Sequence, residues 1–155
     1  MADKTAKNRS ATTTIEAPAS AVFAILADPR QHARIDGSGT VKALVDGPDR
    51  LELGSEFGVD MKKGAAYKMK NKVVEFETDR LIAWRHVGLH RWRYELTPTN
   101  NGGTRVTETW DLSRYPLPAR LALSATFGKG TQQAIEATLV KLKDAAEADA
   151  GPAAG

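Results

Sequence analysis

The chain has 155 residues, 41% of them hydrophobic and 26% charged, with 22 basic against 19 acidic side chains and a net charge of +3. That composition fits one globular domain with a sizeable core, and so mild a basic excess argues against nucleic-acid binding. Cysteine is absent, which excludes disulfides, thiolate metal sites and a cysteine nucleophile.

Residues 1–9 are polar and expected to fray. MADKTAKNRS is followed by no apolar run, and no window approaches the ~20 apolar residues of a membrane span, so neither a secretory signal nor membrane insertion is expected and the cytoplasm is the expected location. SATTTIEA (10–17) is rich in β-branched residues and reads as a strand, and Pro18 opens a helix. Val22, Phe23, Leu26 and Ala27 recur at helical spacing until Asp28 and Pro29 end the run. A second short helix is expected over 29–34, closed by the turn IDGSGT.

Strands follow. Val41, Ala43 and Val45 alternate before DGPD, and Phe57, Val59 and Met61 alternate before KKGAA. Three longer strands are predicted at about 67–77, 80–87 and 91–97, and a last one begins after TNNGG with TRVTETWDL. Beyond Pro116 and Pro118 the period changes to 3.6: Ile135, Leu139, Leu142 and Ala146 form one apolar stripe of an Ala-rich helix over 118–147. Gly128 and Gly130 predict a kink there, and the tail 148–155 is expected to be disordered. An early strand, two short helices, six further strands and a long helix make an α+β domain over 10–147, with an antiparallel sheet.

These elements carry a resemblance. IEAPASAVFAILADPRQH (15–32), LIAWRHVG with HRWRYELTP (81–98), GGTRVTETWDL (102–112) and the terminal helix resemble the SRPBCC superfamily, the START-like helix-grip fold, nearest its actinobacterial polyketide cyclase/dehydrase-like members. The resemblance implies a curved seven-stranded antiparallel sheet wrapped around the C-terminal helix. It also implies a cavity between them, whose mouth the region of His32 and Asp36 would flank. A surface-loop role is the simpler expectation for that pair.

Strand alternation proposes the cavity lining. With Gly88, Leu89 and His90 as a three-residue turn, Val87 faces Arg91, His86 faces Trp92, Trp84 faces Tyr94 and Ile82 faces Leu96. Continuing with Leu96 opposite Val106 sets Tyr94 against Glu108 and Trp92 against Trp110. One face then carries Trp84, His86, Trp92, Tyr94, Glu108 and Trp110, and the other carries Arg85, Arg93 and Glu95. Such aromatics either pack under the helix or line a ligand box. An inward carboxylate beside a phenol and an imidazole needs hydrogen-bonding partners, whether structural or from a ligand. Lys68, Lys70 and Lys72 alternate along one strand face, read first as solvated and otherwise as an attraction for an acidic ligand.

The leading expectation is therefore binding of a small hydrophobic or amphipathic ligand in an aromatic-lined cavity, with Ile135 and Leu139 on the helix side. The alternative is a polyketide cyclase or dehydratase in the same cavity, with Glu108, Tyr94 and His86 as acid/base candidates. A third reading is a protein-interaction module whose cavity has collapsed. Neither enzymatic activity nor oligomeric state is legible, and a homodimer is compatible. The three histidines lack acidic partners at ligand spacing, so no metal and no cofactor is expected.

Overall fold

The computed structural model describes residues 7–39, 41–63, 65–86 and 88–151, with the backbone alone at 42–45 and 63. Strand β1 (Arg9–Ile15) leads into helix α1 (Ala19–Leu26), which buries Val22, Phe23, Ile25 and Leu26. The Asp28 carboxylate accepts from the Arg30 amide at 3.0 Å and starts a 3-10 turn at Pro29–Gln31, which passes directly into the single-turn helix α2 (His32–Ile35). This combination is the usual way to end one helix and begin another: a carboxylate caps orphan amides, and proline stands where no amide is needed.

Strands β2 (Val41–Asp46), β3 (Glu56–Lys63), β4 (Ala65–Glu77), β5 (Leu81–Arg85), β6 (Arg91–Pro98) and β7 (Thr104–Asp111) precede the 34-residue helix α3 (Leu117–Ala150). Among the described residues the strands form one antiparallel sheet of seven in the order β1-β7-β6-β5-β4-β3-β2. The crossover from β1 to the far edge carries α1 and α2. Register breaks in β2 and between Val73 and Glu75 of β4 bend and twist the strands, which helps the sheet curve around α3. The expected stripe of α3 is fully buried at Ile135, Leu139, Leu142 and Ala146.

Three expectations need correction. Order begins before residue 10: Arg9 pairs with Trp110, and the Asn8 side chain donates to Asp111 at 3.3 Å and accepts from the Leu112 amide at 2.7 Å. Residues 1–6 and 152–155 lie outside the described residues. Helix α3 neither breaks at Gly128 and Gly130 nor stops at 147. A Cβ at Gly128 would come within 2.6 Å of the Arg9 guanidinium, so the glycine makes room for that side chain without interrupting the helix.

The third correction concerns the β5–β6 register. Trp84 stands opposite Trp92 and Ile82 opposite Tyr94, two residues away from the three-residue-turn pairing, because His86 leaves the ladder and joins a longer connection. Val87, which that pairing set against Arg91, lies outside the described residues. A slip of two preserves every side-chain face. The β6–β7 register is as expected, with Tyr94 opposite Glu108 and Trp92 opposite Trp110.

Candidate functional site

Between the concave face of the sheet and α3 lies a cavity of about 1000 Å³. Its walls include Trp84, His86, Trp92, Tyr94, Glu108 and Trp110, while Ile82, Leu96 and Val106 of the same face are buried in the core. Ile135 and Ala134 contribute from α3, and Phe57, Met61 and Met69 from β3 and β4. Leu139 is buried in the core beside the cavity and does not line it.

The polar centre of this wall is the cross-strand pair Tyr94 and Glu108, both buried. Burial disfavours the charged carboxylate and raises Glu108 to about 8; the hydrogen bond from Tyr94 opposes that shift, and the negative charge of Asp36 adds to it. Tyr94 is raised well above its ordinary value, by burial first and then by Glu108. Glu108 is therefore a protonated acid at neutral pH, able to donate to an oxygen in the cavity.

A second polar group stands at the other end of the indole row. His86 Nε2 accepts from Trp92 Nε1 at 3.4 Å, which places the proton of the neutral imidazole on Nδ1. That atom is buried and has no partner among the described residues. Burial, reinforced by neighbouring His90, lowers the His86 pKa to about 4. The ring is neutral at physiological pH and its free N–H is a donor.

Several wall residues are not apparent from alternation. His90, expected in a turn, sits among His86, Trp92, Trp110 and Tyr115 with ring centroids 4.9 to 6.3 Å away. The Tyr115 hydroxyl accepts from the Leu89 amide at 2.9 Å and lies 3.2 Å from His90 Nδ1, pinning the loop to the chain just ahead of α3. His32 and Asp36 are cavity-wall residues, which corrects their reading as a surface loop. His32 is buried, donates from Nε2 to the Leu26 carbonyl at 2.9 Å and stacks on Trp84. Asp36 accepts from the Ser38 hydroxyl at 2.7 Å and the Val41 amide at 2.9 Å. The next residue, Gly37, presses on α3, its amide donating to Thr138 Oγ1 at 2.8 Å. No sequence signal at His32 or Tyr115 marks these contacts, because each is made across the fold.

Among the described residues no helix is long and apolar enough to cross a membrane. The uncharacterized protein Rv0088 of Mycobacterium tuberculosis is 39% identical over 134 residues, covering 84% of this chain. The chain spans 60% of the length of that relative. Among solved structures, protein NE0264 from Nitrosomonas europaea superposes with a TM-score of 0.69 at 17% identity, covering 94% of this chain and 96% of the other. The Zhui aromatase/cyclase from Streptomyces sp. R1128 superposes at 0.63 with 17% identity, covering 94% and 98%. The di-domain aromatase/cyclase StfQ of the steffimycin pathway gives 0.65 at 18% identity, covering 94% of this chain and 52% of that one. At such identities the likeness is one of fold. The profile of the "Polyketide cyclase / dehydrase and lipid transport" family matches residues 8–147, and the chain belongs to this family within the SRPBCC superfamily.

Proposed function

We propose that the cavity binds a small hydrophobic or amphipathic molecule bearing oxygen acceptors, such as carbonyl groups. The observation that carries this reading is an aromatic-walled volume of about 1000 Å³, at the upper end of the ~300–1,000 Å³ of small-molecule sites, with two neutral donors in its wall. The three tryptophans and Tyr94 offer flat apolar contact to the body of the ligand. Protonated Glu108 and the His86 Nδ1–H would each satisfy one ligand oxygen, and for the His86 N–H that pairing offsets the cost of a buried donor left unbonded. The collapsed-cavity reading requires a filled interior, which this volume contradicts.

A cyclase or dehydratase activity is the second reading. Its support is the neutral acid Glu108 next to a phenol, the arrangement an acid catalyst needs beside a polarised carbonyl, together with the family to which the chain belongs. Binding is tested with the neutral dye Nile red, which should bind saturably and quench tryptophan emission. Ala134→Phe, projecting from α3 into the cavity, should abolish this while leaving the circular dichroism unchanged. Undiminished dye binding in that folded variant would refute the cavity as the site.

A further inference from the structure

The outer face of the same sheet carries a second groove, of about 340 Å³, that among the described residues shares no lining residue with the cavity. It is lined by Lys72, Arg85, Arg91 and Arg114, with Leu53 and Leu89 as apolar flanks, and among the described residues no acid lines it. Lys72 of β4 and Arg85 of β5 are direct cross-strand partners, and one further step along the β5–β6 register sets Arg91 beside Arg85. Three cations therefore stand in a row across three adjacent strands. Like charges directly opposite one another destabilise a sheet, so this row costs stability in the isolated protein.

Neighbouring acids neutralise only part of the groove's charge, at Arg91 and Arg114. Glu75 and Asp111 are held by three guanidiniums: Arg91 bonds Glu75 at 3.0 Å, Arg114 bonds Asp111 at 3.1 Å, and Arg93 bonds both. Glu56, across from Lys72 on β3, faces Lys70 at 3.6 Å. Lys72 and Arg85 have no ion-pair partner among the described residues. Arg91 Nε is buried with no hydrogen-bond partner among the described residues. The groove thus has surplus positive charge, a free guanidinium donor and two exposed leucines.

We propose that this groove is a binding site, separate from the cavity, for a phosphate- or carboxylate-bearing small amphiphile. The planar guanidiniums and the lysine match an oxyanion in charge and donor geometry, and Leu53 and Leu89 cover a short apolar portion. A volume of about 340 Å³ fits a head group and a few carbons, at the small end of ligand sites. The bound anion relieves the repulsion between Lys72, Arg85 and Arg91.

The test uses hexyl phosphate as the soluble probe and phosphatidylcholine vesicles containing phosphatidylglycerol as the membrane-borne one. Titration of the folded protein with hexyl phosphate should move the Nε–Hε NMR signals of Arg85 and Arg91 saturably, weaken with added salt and leave Nile red bound in the cavity. The double variant Lys72→Gln/Arg85→Gln should bind at least tenfold more weakly, and its thermal midpoint without ligand should not fall. A response to the vesicles alone, lost in the same variant, would assign the oxyanion to a lipid head group. No saturable response to either probe, or equal responses in wild type and variant, would overturn the proposal, as would displacement of Nile red.

Discussion

The imidazole of His32 lies against the indole of Trp84, with ring centroids 4.6 Å apart and planes 20° from parallel. The edge of Phe57 closes on both rings, at 5.2 Å from His32 and 5.8 Å from Trp84. The short α2 is thereby fastened to the middle of the sheet, and a residue of the crossover becomes part of the cavity wall. Burial lowers the pKa of His32 against the pull of the Leu26 carbonyl and of Asp28 and Asp36, so the stacked ring is neutral.

His32→Phe keeps an aromatic ring on Trp84 and removes the donor to the Leu26 carbonyl. It should destabilise the fold by ~1–3 kcal/mol at pH 7, the cost of a buried acceptor left unbonded. A depressed histidine contributes stability above its unfolded pKa and loses it as pH falls through the folded value. The variant should therefore lose less stability than wild type between pH 7 and pH 5. Urea unfolding at the two pH values measures both effects, and an unchanged acid sensitivity would remove His32 as its source.

Gly37→Ala tests how tightly the α2 exit is pressed on α3. A Cβ at Gly37 would lie 2.3 Å from the Thr138 amide nitrogen and 2.6 Å from the Ala134 carbonyl oxygen. Both are helix backbone and cannot swing aside. A loss of ~1–3 kcal/mol is expected from the overpacking, with reduced Nile red affinity because Asp36 and Ala134 both line the cavity. A crystal structure of the variant showing α2 and α3 unmoved would contradict this account.

Leu139→Ala separates core from cavity. Leu139 is 3% exposed and does not line the cavity. The variant should therefore lose ~2–5 kcal/mol of stability while retaining Nile red binding under conditions where it is folded. A loss below ~0.5 kcal/mol in urea unfolding would mean that its truncation leaves no unfilled space.

What the sequence made legible follows the reach of each interaction. Strand faces could be read because alternation is local, and an error of two residues at the β5–β6 connection left Trp84, Trp92 and Tyr94 facing inward. Pairing Leu96 with Val106 gave the β6–β7 register, and with it the Tyr94–Glu108 pair. The β5–β6 connection itself could not be read, because its shape is set by Tyr115, 25 residues beyond His90. Gly128 looked like a helix breaker because glycine lowers helix propensity; its reason is the guanidinium of Arg9, far away in sequence. His32 looked like a loop residue because neither Trp84 nor Phe57 is near it along the chain.

Glu108 gives the most exposed prediction. In an unfolded chain a glutamate ionises near ~4.3, whereas in this fold Glu108 does so at about 8. Between those values the native state keeps a proton that the unfolded state has lost, so stability falls as pH rises, by up to ~1.4 kcal/mol per pH unit. His86 acts in the opposite sense on the acid side. Its pKa is lowered to about 4, so the unfolded imidazole charges below ~6.5 while the native one does not. Above pH 6.5 Glu108 therefore acts without that opposition. Wild type should lose stability from pH 6.5 to 8 and level off near pH 9. Glu108→Gln, whose amide carbonyl still accepts from Tyr94, should lose much less over the same interval. A carbonyl ligand that accepts from protonated Glu108 should also weaken as pH passes 8. Urea unfolding of both proteins across this range, with the Glu108 carboxyl carbon shift followed by NMR, decides the matter. Parallel stability profiles, or a carboxyl titration near ~4.3, would show a solvated carboxylate and leave the cavity without its acid.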